Sequence, residues 1–137
     1  MNDITKPEDI ERLVTEFYKR VRKDDLLGEI FQDVAKVDWE LHLPIMILFW
    51  ESLLLKTRKY TRNALQPHLD LFQSSAFTPD FMVRWLSIFN STIDDLFEGN
   101  TATKAKSWAN GIGYNIQKQV RFQESRSMPM GVIKSGL

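Results

Sequence analysis

Residues 38–56 read DWELHLPIMILFWESLLLK, and no other stretch of the chain constrains the fold so tightly. Wound as a helix at about 100° per residue, Trp39, His42, Met46, Phe49, Trp50 and Leu53 fall within one apolar arc roughly 100° wide. The alternation of a half-buried strand is absent. The spacing predicts a helix from near Asp38 to about Lys56, with His42 inside its apolar arc. Pro44 lies on the opposite side, early in the helix, where it costs one hydrogen bond and loosens the first turn. The apolar run Leu41 to Trp50 is interrupted by His42 and is too short to span a bilayer.

The same helical period extends to both sides of this stretch. Upstream, Thr5-Lys6-Pro7-Glu8 reads as a helix start, with threonine as cap, proline in the first turn and glutamate closing a capping box. The helix it opens runs to about Lys23, with Ile10, Leu13, Val14, Phe17 and Val21 on one face. Tyr18, roughly 100° from Phe17, sits at the edge of that face. Asp24-Asp25 and Gly28 break the pattern, so Leu26 to Phe31 is read as a short helix or turn. Downstream, Thr57 to Gln66 is polar and irregular, and Pro67 opens a short segment with His68 in its first turn. Thr78-Pro79-Asp80 caps a further helix to about Glu98, whose inner face carries Phe81, Met82, Trp85, Ile88, Phe89, Thr92 and Leu96. The last helix runs from Thr101 to about Phe122, with Ala105, Trp108, Ala109, Ile112, Ile116 and Val120 aligned. The expected fold class is all-α, with one domain over residues 1–124. Residues 125–137 form a tail without sustained period, expected to be disordered.

Composition narrows the function. The 137 residues include 18 Lys+Arg and 18 Asp+Glu, for a formal net charge of zero. The charges are interspersed, which argues against nucleic acid as a partner. There is no cysteine, which removes disulfides, thiolate metal sites and cysteine nucleophiles. The polar N-terminus has no signal-peptide core and no stretch spans a membrane, so a cytoplasmic location is expected. Aromatic residues reach 12% with nine Phe and four Trp, which fits either a helical core or a flat hydrophobic ligand.

Only two histidines occur, His42 and His68. They belong to an ordered set that runs through Phe17-Tyr18, Leu27-Gly28-Glu29-Ile30-Phe31, Asp38-Trp39-Glu40-Leu41-His42 and Phe49-Trp50. It continues through Tyr60, Asn63, His68-Leu69-Asp70-Leu71, Phe81 and Trp85-Leu86. In that set and spacing, over roughly residues 8 to 122, the chain resembles the truncated haemoglobins, and group III most of all. The resemblance implies a two-over-two helical sandwich around haem b. In its terms His68 is the proximal residue that binds iron, Tyr18 sets a hydroxyl over the metal, His42 is a gate histidine and Trp85 lines the distal pocket with its indole N–H. Met46 and Trp50 continue the face of His42 one and two turns on, and Phe31, Phe49 and Phe81 complete an apolar slot. Tyr60 and Arg62, with Arg58, read first as a solvated loop and alternatively as partners of the haem propionates. The family's Gly-Asn-Pro before the proximal segment is Arg62-Asn63-Ala64 here.

Three donors, Tyr18, His42 and Trp85, directed at one ligand are more than oxygen storage needs. Donors of that kind slow the escape of a ligand carrying partial negative charge. The expected ligands are oxygen, nitric oxide and carbon monoxide. Tight retention suits conversion of nitric oxide to nitrate or peroxidase-like chemistry, with a reductase as electron-donating partner. A gas or redox sensor, an oxygen-binding protein without turnover, and a haem-free helical interaction module with structural histidines are the other readings of the same residues.

Overall fold

A computed structural model of the protein describes residues 1–31, 38–57 and 79–127. Helix α1 spans Pro7–Lys23. It begins one residue later than the Thr5 and Glu8 signals indicate, because Asp9 is the acid that closes its first turn. The Asp9 carboxylate accepts from the Thr5 N–H at 2.9 Å and from the Lys6 N–H at 3.2 Å. Glu8 and Asp9 at one end, and Arg20, Arg22 and Lys23 at the other, match the helix dipole. The predicted face is the buried one: Ile10, Leu13, Val14, Phe17 and Val21 are all sequestered, and Tyr18 joins them.

Asp24 ends α1 and starts the next turn. Its N–H donates to the Val21 carbonyl at 3.1 Å, and its carboxylate accepts from the Leu26 and Leu27 N–H groups at 3.0 and 2.9 Å. The short helix α2, Leu27–Glu29, folds back so closely that a Cβ on Gly28 would stand 2.5 Å from the Arg22 carbonyl oxygen. Only a residue without a side chain fits this approach.

Helix α3 is the opening stretch, Trp39–Leu55, with the Asp38 carboxylate accepting from the Glu40 N–H at 3.1 Å. Pro44 lies inside it and is exposed, on the side the arc leaves to solvent. Lys56, at φ 58° in the left-handed region, ends the helix. Helices α4, Pro79–Leu96, and α5, Asn100–Ser127, follow. Gly99 turns the corner between them at φ 144°. There the Asp3 carboxylate accepts from the Thr101 and Ala102 N–H groups, each at 2.9 Å, so the N-terminal arm caps α5.

Helix α1 packs on both α3 and α4, and α4 packs on α5. The result is two helix pairs laid over one another, all-helical among the described residues. Arg20 bridges the pairs, meeting Glu16 on its own helix at 3.1 Å and Asp95 of α4 at 2.9 Å. No helix among the described residues is long and apolar enough to cross a membrane.

Two expectations change. Trp108, placed in the sequence pattern on the inner face of α5, is 48% exposed, whereas Ala105 and Ala109 are fully buried. The small residues let α5 approach its neighbours closely, and Trp108, about 100° from Ala109, is rotated outward. Helix α5 also continues to Ser127, beyond the expected end near Phe122.

Candidate functional site

The site is built where α1 meets α3. Phe17 and Tyr18 occupy neighbouring positions on α1, with ring centroids 4.8 Å apart. Phe17 faces α4 and Tyr18 faces α3. The Tyr18 ring meets His42 edge-on at 5.0 Å and Trp39 at 5.3 Å. Trp39 in turn meets His42 at 5.6 Å. A phenol, an imidazole and an indole thus form one closed cluster of three rings. Edge-to-face contacts of this kind add about 0.5–1.5 kcal/mol each beyond area burial.

Tyr18 is 2% exposed. Burial pushes its phenol far above the ordinary tyrosine range, since the phenolate would lose its hydration. The group is therefore a neutral hydroxyl at any physiological pH, able to donate a hydrogen bond.

Trp85 of α4 reaches the same region through Phe17, to which it stands edge-on at 5.5 Å. It also lies parallel to Phe89 at 5.8 Å, with an interplanar angle of 5°. Phe89 stacks with Trp50 of α3 at 4.9 Å, and Trp50 meets Phe49 at 5.3 Å. Phe31 joins Trp39 at 6.0 Å and Phe81 at 5.9 Å. Met46 is buried on the same face of α3 as His42. The predicted residues Tyr18 and His42 are thus brought into direct contact. Trp85 is one ring removed, Trp50 is linked to it through Phe89, and Phe31 with Phe81 forms a second apolar wall. His68, Tyr60 and Arg62 lie outside the described residues.

One contributor was not singled out in the sequence as a site residue. Trp39 bridges Tyr18, His42 and Phe31, and the Arg22 guanidinium lies over its ring at 5.0 Å. The signal was present, because Trp39 shares the apolar arc of His42 one turn ahead of it. What periodicity could not supply was the crossing of α1 and α3 that delivers Tyr18 and Arg22 to that indole.

Two helix pairs enclosing a buried tyrosine beside a histidine, with aromatic walls on two sides, match the expected two-over-two helical sandwich. Comparison with known proteins agrees. No protein-family model matches the sequence. The chain is 32% identical over 93 residues to group 3 truncated hemoglobin ctb of Campylobacter jejuni, an alignment covering 66% of this chain and 71% of that relative. Among solved structures, the crystal structure of group III truncated hemoglobin from Campylobacter jejuni superposes with a TM-score of 0.76 at 27% identity, covering 88% of this chain and 95% of that one. The chain belongs to the group III truncated haemoglobins.

Haem is the cofactor of that family, and diatomic gases are its ligands. The described residues fit such a group. Phe31, Met46, Phe81 and Trp85 supply buried apolar surface, and Tyr18 supplies a neutral donor. Among the described residues no cluster of three or more His, Asp or Glu side chains could hold a bare metal ion.

Proposed function

We propose that the protein holds haem b through His68, retains oxygen with Tyr18, His42 and Trp85, and uses it to convert nitric oxide to nitrate. The observation that carries this reading is the buried, neutral Tyr18, whose ring meets the His42 ring edge-on with centroids 5.0 Å apart. A haem, when bound, would supply an iron that takes diatomic gases, with His68 as the residue to hold it. The protein's part is electrostatic. Tyr18, buried and neutral, would offer its hydroxyl as donor to a bound ligand that carries partial negative charge. His42 holds the phenol ring in place through their edge-on contact, and Trp39 locks both. Trp85, fixed between Phe17 and Phe89, offers a second donor in its indole N–H. Phe31, Met46, Phe49, Trp50 and Phe81 are the apolar lining, and Tyr60 and Arg62 are the residues for the propionates.

Nitric oxide and dioxygen combine to nitrate with the uptake of one electron, so an electron-donating reductase completes the cycle. Stopped-flow mixing of the oxygen-loaded holoprotein with nitric oxide tests the proposal. Stoichiometric nitrate formed within the mixing time supports turnover. Slow or substoichiometric nitrate assigns the protein to sensing or simple oxygen binding.

A further inference from the structure

On the outer side of Tyr18, α1 and α3 enclose a cleft of about 710 Å³. One wall is the stripe Thr15, Lys19 and Arg22 of α1, spaced at one and two helical turns, with Lys23 beside it. The other wall is Trp39 and Leu43 of α3, again one turn apart, and Tyr18 and Gly28 complete the lining. Phe31, Met46, Phe81 and Trp85 do not line it. The cleft is therefore distinct from the apolar slot described above and has Tyr18 in common with it.

Its charge is one-sided. Lys19, Arg22 and Lys23 form no ion pair among the described residues, whose bridges use Arg20, Arg84 and Lys106. Glu16 on α1 pairs with Arg20 and Asp24 at its end with Arg84, and no acidic side chain is among the described lining residues. The Arg22 guanidinium carbon lies over the Trp39 indole, 5.0 Å from the ring centroid. A guanidinium fixed in this way offers a planar, weakly hydrated surface for stacking and a fork of donors for a carboxylate. Pockets of several hundred Å³ with an aromatic wall and a few polar groups are the usual form of small-molecule sites.

We propose that this cleft binds a flat aromatic carboxylate, its ring against Trp39 and Leu43 and its charge met by Lys19, Arg22 and Lys23. The site uses neither His68 nor the diatomic ligand, so it stands whichever reaction the protein performs. The test is titration of the haem-loaded, reduced, carbon monoxide-saturated protein, which is diamagnetic, with 1-naphthoate, followed by ¹H–¹⁵N NMR. The neutral 1-naphthalenemethanol is titrated in parallel. Saturable shifts centred on the Lys19 and Arg22 amides and the Trp39 indole N–H are expected. The carboxylate should bind about five-fold or more tightly than the alcohol at low salt, with the advantage shrinking as salt rises. Arg22→Glu and, separately, Lys19→Gln should each remove most of that advantage, and both positions are exposed enough to be substituted without unfolding the chain. Absence of saturable shifts, shifts centred on Phe31 and Phe81 instead, or equal affinity for acid and alcohol would each overturn the proposal.

Discussion

Replacing Tyr18 by phenylalanine removes one oxygen atom and leaves the packing in place. The ring is held by Phe17 at 4.8 Å, His42 at 5.0 Å and Trp39 at 5.3 Å, and phenylalanine keeps all three contacts. The variant should therefore fold with little change in stability. The function should change far more. A hydrogen bond to a charged partner in a buried site is worth about 1.5–3 kcal/mol. Since each 1.4 kcal/mol is a factor of about ten, oxygen should dissociate roughly ten- to hundred-fold faster. The assay is stopped-flow displacement of oxygen from the reduced holoprotein by carbon monoxide, with urea denaturation of the same preparation as the control. An off-rate within about two-fold of wild type, in a protein of unchanged stability, would refute the assignment of Tyr18 as the distal donor. Carbon monoxide, which is less polar when bound, should be affected much less.

Other outcomes follow from the same geometry. His68→Ala should abolish stable haem retention, seen as loss of the Soret band after gel filtration; a normal spectrum would remove His68 as the axial ligand. Gly28→Ala should destabilise the fold by about 1–3 kcal/mol, because its Cβ would meet the Arg22 carbonyl oxygen at 2.5 Å; the urea midpoint should fall with an unchanged slope. Acid should weaken the fold through Asp3 and Asp24. For each, burial alone opposes ionisation, but the hydrogen bonds from Thr101 and Ala102, and from Leu27, Arg84 and Leu26, together bring the carboxyl below the ordinary value of 3.8. A depressed folded value means that their stabilisation is complete above about pH 3.8 and is lost as pH falls through the folded values; urea midpoints measured down this range should drop, and Asp24→Asn should flatten the slope.

Much of this was visible in the sequence. The apolar arc of α3 located His42 and Met46, and the buried face of α1 placed Tyr18 at its edge, because a helix fixes which residues share a side. The edge position of Tyr18 proved to be the interface with α3, where its ring is fully enclosed. Periodicity could not reveal which residues of different helices would touch. The Trp39 cluster and the cleft lined by Lys19 and Arg22 arise only where α1 and α3 cross. Trp108 misled because it lies next to buried Ala109 in sequence, and a large apolar side chain at the margin of an arc was read as part of it. The first cap was displaced by one residue because both Glu8 and Asp9 could serve, and the shorter aspartate reaches the Thr5 and Lys6 amides. His68 depended throughout on likeness to a family, since a histidine in a polar loop has no periodic pattern to anchor it.

Asp3 ties the beginning of the chain to Thr101 and Ala102, partners 98 and 99 positions away. During synthesis, the arm must wait until the whole of α4 and the first turn of α5 have emerged before this knot can close. Loop closure over such a span is costly before any contact rewards it, so this junction should be among the last to form and the first to open under stress. A tag or fusion placed directly before Asp3 would thus weigh on the far corner of the fold, at the Gly99 turn, and not on the helix it immediately precedes.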